Sequence, residues 1–310
     1  MNYRFSGHET FPCRYAWLPK AYREILHDRD IFAAEENAMV LLGLGKNMVR
    51  ALRFWAQAAG IAQFSKPSGY VVTEFGKALL DTAEGFDPFL EDRRTLWLLH
   101  WNLSTHVEEP LFAWEYLLNR WPHPELTRTE VLREFSKEAT RLGRKLSAVT
   151  LEQHFDTFLH TYFPTRSPKG AILEDNLDCP LVELEFVRRV GDRDTGTKGR
   201  REPIYAFRQE TKSDISAELF SYCLDDFWRK RRSEEQTLTF RDVAIAHGSP
   251  GQVFKLPEWD IRQRLDSVEN DTAGIFQYQE TAALQRVVRK INVLPEELLG
   301  AIFDCERARA

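Results

Sequence analysis

The stretch EENAMVLLGLGKNMVRALRFWAQAAGIAQFSKPSGYVVT, residues 35–73, decides how the chain is read. Glu36 to Leu42 is an apolar helical run that Gly43-Leu44-Gly45 breaks. Met48, Leu52, Trp55 and Ala59 then recur at i, i+4, i+7 and i+11, on one face of a second, longer helix. Gly60 ends that helix. Ile61 to Phe64 and Tyr70 to Thr73 read as strands joined by Ser65-Lys66-Pro67-Ser68-Gly69, whose proline and glycine favour a tight turn. Helix, turn, longer helix and hairpin is the layout of a winged helix, with the hairpin as the wing.

The polar positions beside the apolar stripe, Lys46, Asn47, Arg50 and Arg53, are three or four apart and share an outward face. With Lys66 in the wing and Lys77 beyond it, the window Gly43 to Lys77 holds five basic residues and one acid. That local excess suits phosphate contacts and a helix lying in a major groove. An ordinary solvated helix face accounts for the same pattern.

The layout repeats along the chain. After an N-terminal segment and helix, 1–34, and the first module, 35–80, residues 81–126 form a Trp-rich helical connector. Nine acids against three bases between Asp81 and Glu125 give it an acidic outer face. A second module, 127–212, has helices over Thr129–Leu142 and Thr150–Tyr162 and strands over Leu181–Val190 and Pro203–Gln209. Its loop is basic: Arg188, Arg189, Arg193, Lys198, Arg200, Arg201 and Arg208 outnumber Asp192, Asp194 and Glu202. A wing tip tracking a phosphate backbone and a solubilising loop both fit. Residues 213–310 are mainly helical and read as a degenerate third copy. The fold class expected is therefore mainly α with small β-hairpins, as tandem winged-helix modules joined by a helical connector.

Composition agrees with a folded, soluble chain. Of 310 residues, 43% are hydrophobic, 29% charged and 12% aromatic, which excludes a disordered or fibrous class. A net charge of −5 excludes a polycation, so positive charge for nucleic acid has to be local. The sequence has neither a bilayer-spanning apolar run nor a signal-peptide core, so a cytoplasmic protein without membrane association is expected. Cys13, Cys179, Cys223 and Cys305 form no C-x-x-C pair, which predicts reduced, unlinked thiols and no structural zinc. No phosphate-loop signature is present, and no nucleotide, haem or flavin is expected.

Hydrolysis of a phosphodiester needs carboxylates that hold divalent metal, Mg2+ or Mn2+, or a general base. Two places offer such groups. In Gly7-His8-Glu9-Thr10, His8 is a candidate base and Glu9 a candidate acid or ligand. In the second module, Asp175 and Asp178, with Glu174, come close to Asp156 if the module folds as expected. A segment tied down by hydrogen bonds to His8 and Thr10 explains the first, and an Asx-rich turn the second.

Several blocks carry a family resemblance: FSGHETFP at 5–12, WLPK at 17–20, LGKNMVRALRFW at 44–55, LWLLHW at 96–101, EDNLDCPL at 174–181 and GSPGQVFKL at 248–256. Together they resemble the GHETF-type domain-of-unknown-function family of bacterial DNA phosphorothioation loci. The resemblance runs in order over nearly the whole chain. It implies a subunit of a sulfur-modification and defence system of the restriction-modification kind, acting on double-stranded DNA. In that setting it works beside an ATPase, an ATP pyrophosphatase and a cysteine desulfurase. It also implies a nickase, opening one strand so that sulfur enters the backbone. An adaptor that binds DNA and recruits the modification enzymes is the alternative. The resemblance brings no catalytic set, so His8, Glu9, Asp175 and Asp178 rest on their own chemistry.

Overall fold

In the N-terminal part of the fold, α1 (Trp17–His27), α2 (Glu35–Leu42) and α3 (Lys46–Ala58) pack together. Gly43 closes α2 in the left-handed conformation, φ 63° and ψ 34°, which reverses the chain into α3. The hairpin β1 (Ala62–Ser65) and β2 (Gly69–Val72) follows, pairing Phe64 with Tyr70, and Thr73 caps α4 (Glu74–Leu80). These boundaries lie within a residue or two of those expected. The computed structural model describes residues 2–164, 179–195, 201–281 and 284–307.

The buried face of α3 is broader than the expected stripe. Val49, Leu52, Phe54, Trp55 and Ala56 are interior, while Met48 is only half-buried. Two consecutive aromatics are accommodated because Trp55 also donates its indole N–H to the Phe11 carbonyl, 2.9 Å away, drawing the N-terminal segment over the helix.

The connector differs more. In α5 (Arg93–Thr105) every residue from Thr95 to Trp101 is buried, so this helix is the centre of the molecule and has no acidic outer face. Most of the acids of that region lie in the loops beside it, and Glu115 of α6 (Phe112–Asn119) is itself buried.

The rest of the chain traces one path twice. After α6 come β3 (Glu125–Thr127), α7 (Arg128–Arg141), α8 (Ala148–Tyr162), β4 (Val187–Asp194) and β5 (Arg201–Phe207), with sheet order β3-β5-β4. After α9 (Ala217–Arg231) come β6 (Thr237–Thr239), α10 (Phe240–Ile245), α11 (Pro250–Phe254), α12 (Glu258–Asp271), β7 (Phe276–Thr281) and β8 (Leu284–Arg289), with order β6-β8-β7. In both, the second hairpin strand inserts between the first and a short strand that precedes the helices. The last helix, α13 (Pro295–Arg307), packs on α9. Pro180–Leu184, expected as the start of a strand, is a 3-10 turn because Pro180 sits in its first turn. The chain is thus mainly helical with small antiparallel sheets, and no helix among the described residues is long and apolar enough to cross a membrane. Cys13, Cys179 and Cys223 are buried.

A buried polar relay joins these parts. The Trp114 indole donates to the Tyr162 oxygen at 2.8 Å, the Tyr162 hydroxyl lies 2.7 Å from His100 Nδ1, and His100 Nε2 lies 3.0 Å from the Val253 carbonyl. A carbonyl only accepts, so the His100 proton is on Nε2 and the Tyr162 hydroxyl donates to Nδ1. Every group in the relay is paired. Removing the hydroxyl leaves two buried groups bare, at ~1–3 kcal/mol each. Tyr162→Phe is therefore expected to lower the unfolding free energy by at least about 2 kcal/mol in urea denaturation; an unchanged midpoint would contradict the relay.

Candidate nucleic-acid interface

The N-terminal segment enters the core beside α6, with Arg4 bonded to Pro110 and Phe112 through main-chain groups at 3.0 and 3.1 Å. It then turns sharply. Gly7 has φ 109°, and a Cβ there would stand 2.8 Å from the Phe54 ring; Glu9 and Thr10 follow at φ 48° and 68°. This turn delivers His8 to the interior, 3% exposed. Its Nδ1 accepts the Thr10 amide at 3.1 Å and lies 3.1 Å from the Thr157 hydroxyl, while Nε2 meets His154 Nδ1 at 3.0 Å. His154 Nε2 accepts the Ala113 amide at 3.0 Å. Burial, and then the nearby Arg4, lowers His8 to about 4; burial, and then His8, holds His154 well below the ordinary histidine value.

Each ring accepts one main-chain amide, which leaves the proton of His8 on Nε2 and that of His154 on Nδ1, so these two nitrogens meet as a stacked ring contact and not as a hydrogen bond, and the ring of His8 is packed against Phe54. The chemistry this arrangement performs is to latch the segment onto α8. Glu9 is half-buried near Arg50. Asp175 and Asp178, with Glu174, lie outside the described residues. Asp156 is engaged by Arg128. No group of three or more His, Cys, Asp or Glu side chains among the described residues is placed to hold a metal ion.

The α3 face and the β1–β2 hairpin form a different kind of surface. Lys46 and Asn47 are exposed at the start of α3. Arg50 is half-buried and grips Glu35 of α2 through two bonds, 2.5 and 3.1 Å, and Lys46 lies 3.1 Å from the same carboxylate. Hydrogen bonds from Arg50 and Lys46 hold the Glu35 carboxyl down at about 2. Arg53 is half-buried one turn further on and meets the Tyr70 hydroxyl of β2. Residues 63–68, including Lys66, are all exposed. Lys46, Asn47 and Lys66 therefore face solvent as expected, whereas Arg50 braces α2 against α3 and Arg53 links α3 to the hairpin. Tyr70 and Arg4, whose guanidinium lies 4.6 Å from the centre of the Phe54 ring, complete this surface. Sequence reading does not single them out, because only the folded hairpin and the N-terminal turn bring them to α3.

The β4–β5 hairpin, expected as a second wing, is more balanced than its composition. Arg188 pairs with Glu185 at 2.9 Å and Glu210 at 3.4 Å, Arg189 with Asp192 at 2.5 Å, and Arg193 with Glu130 at 2.7 Å and Glu202 at 2.9 Å. Arg201 is exposed, and Lys198 and Arg200 lie outside the described residues. The longest helices of the two segments that trace the same path, α8 and α12, carry the opposite charge. α8 has two carboxylates and neither Lys nor Arg, and α12 has five carboxylates against two arginines. Both of those arginines are paired, Arg262 with Glu280 at 2.5 Å and Arg264 with Asp260 at 2.8 Å. Only α3 of the three has cations without an acid of its own.

A family model described as a protein of unknown function (DUF4007) matches residues 5–303. No curated protein matches the chain. Two crystal structures of SspB, one of them magnesium ion-bound, superpose with a TM-score of 0.82 at 24% sequence identity. The match covers 99% of this chain and 90% and 91% of those chains, so the fold is shared over its full length.

The histidine latch sets an acid limit. His8 at about 4, and His100, which burial lowers to about 3, sit below the ordinary 6.5 that each regains on unfolding. Between these values the unfolded chain binds more protons, so stability is full above pH 6.5 and falls as pH drops toward 4. Each ring contributes a slope of about 1.4 kcal/mol per pH unit. Urea denaturation at pH 7, 5.5 and 4.5 is expected to follow that slope, and His8→Asn to reduce it by one proton; a slope unaffected by His8→Asn would contradict the latch.

Proposed function

The chain belongs to the DUF4007 family, and we propose that it is the DNA-binding subunit of a bacterial DNA phosphorothioation system, holding duplex DNA on α3 and the β1–β2 hairpin. The observation that carries the reading is the division of charge among α3, α8 and α12. Phosphates repel the carboxylates of α8 and α12, while α3 offers Lys46 and Asn47 to the solvent and Lys66 stands on the adjoining wing. The chain path of the two later repeats, with the last strand between the other two, supports reading them as winged-helix modules, and α1 to β2 as a shorter version of the same unit. On this reading the first module grips DNA and the others brace it. The likeness to SspB supports the setting, in which an ATPase, an ATP pyrophosphatase and a cysteine desulfurase are the expected partners.

Nicking of one strand is the finer activity that the family resemblance implies, and the magnesium ion-bound SspB favours Mg2+ as the first metal to supply. The described residues do not fit a magnesium site: they bring no three potential ligands together, and His8 is fully engaged. We therefore derive no hydrolytic step from them. The non-catalytic adaptor is the second reading, and the engagement of His8 favours it. Conversion of supercoiled plasmid to open circle with Mg2+ or Mn2+ supports the nickase, and its absence with the partners present supports the adaptor.

Duplex binding is the direct test. The logarithm of the association constant is expected to fall linearly with the logarithm of salt concentration. Lys46→Ala and Lys66→Ala should each flatten that slope by roughly 0.9, the value of one lost phosphate contact. Arg189→Ala, on the β4–β5 hairpin and outside the first module, should leave it unchanged. Binding that is absent, or a slope indifferent to Lys46 and Lys66, would contradict the proposal.

A further inference from the structure

Three phenylalanine or tryptophan side chains among the described residues are more than half exposed: Phe64 at 51%, Phe89 at 66% and Trp259 at 60%. Phe89 stands between Asp87 and Glu91, and Trp259 between Glu258 and Asp260. Phe64 instead has no acid within two residues and has cations near it, Lys66 at the hairpin tip and Arg53 near its partner Tyr70.

Its position follows from the pleat. Ala62 and Phe64 lie on one face of β1, opposite Val72 and Tyr70 of β2. Ala62 is buried, so this face is the one that packs on the body of the protein. Tyr70 packs edge-on against buried Phe32, 5.0 Å between ring centres, and Phe64 rests on Tyr70 at 5.2 Å. The hairpin therefore carries its apolar face beyond the core, and Phe64 overhangs on a column of rings rooted in the interior. Arg53 of α3 lies near the Tyr70 hydroxyl. Holding a large apolar ring outside the core gains no burial, and the rigid support beneath it limits the entropy lost when something covers it. Cations beside it attract a phosphate backbone, and the ring between them meets what that backbone carries.

We propose that Phe64 is an apolar wedge that inserts against a base step of the bound duplex and partly unstacks it. This rests on the duplex-binding reading above. The phosphate contacts of Lys46 and Lys66 set the register, and the Phe64 ring replaces the face of a neighbouring base. Deformable steps open at least cost, so the wedge also favours some sequences without reading their edges.

The test uses the full chain and duplexes carrying 2-aminopurine at successive positions, whose emission rises on unstacking. The wild-type protein is expected to raise emission at one or two adjacent positions. Phe64→Ala and Phe64→Leu should both lose that rise and bind about tenfold more weakly with the same salt slope. Leucine keeps the apolar overhang without a ring face, and matching thermal melts for both variants keep a folding defect apart from a lost contact. Lys66→Ala should do the reverse, flattening the slope while saturated complexes keep the emission rise. Wild-type binding without an emission change at any position, or Phe64→Ala equal to wild type, overturns the wedge and leaves duplex binding standing. Absence of salt-dependent binding by the wild-type chain overturns both.

Discussion

The Tyr162 hydroxyl is the constraint on which the arrangement of this protein depends. It accepts the Trp114 indole proton and gives its own to His100, whose other nitrogen donates to the Val253 carbonyl. Four segments, α6, α8, α5 and α11, are thereby held by groups that are all shielded from water. A shift of any one of them leaves a donor or acceptor bare, so the relay selects one packing from the many that the apolar surfaces alone permit. The His8–His154 contact extends it, fastening the first ten residues onto the same α8. Half-buried Lys255 and buried Lys212 do comparable work: Lys255 Nζ donates to the Leu118 carbonyl at the end of α6, and Lys212 Nζ to the carbonyls of Arg208 and Glu210. Burial lowers them to about 8 and about 7. Their cations are caged by main-chain dipoles, without a carboxylate in hydrogen-bond contact among the described residues.

Because the parts are fixed, a division of labour by charge becomes possible. The two later repeats follow the same path, yet their long helices are acidic and α3 is basic. A net charge of −5 is thus compatible with a local cationic face. Glu35 moderates that face. By engaging Arg50 and Lys46 it joins α2 to the start of α3.

What was legible in the sequence was local. The period of α3, the Gly43 break and the hairpin turn are written in contiguous residues, and their boundaries hold. The three-residue strands β3 and β6 are too short for any periodicity, and they exist because a distant hairpin strand pairs with them. α5 reads as a connector because its flanks are acidic, whereas its burial on every side depends on helices that arrive later in the chain. Site residues divide in the same way. Lys46, Asn47 and Lys66 are where the helical and strand periods put them. The partners of His8 and Arg193 lie 146 and 63 residues away, and no spacing rule reveals that a motif histidine is a latch or that a hairpin arginine is already paired.

The most direct measurement is photo-crosslinking to labelled duplex from benzoylphenylalanine placed singly at Asn47, Gln63, Gln153 and Gln263, exposed positions on α3, the β1–β2 hairpin, α8 and α12 respectively. Charge partition predicts crosslinks from positions 47 and 63 alone. Crosslinks from 153 or 263, or none from 47 and 63, would contradict the assignment of DNA to the first module.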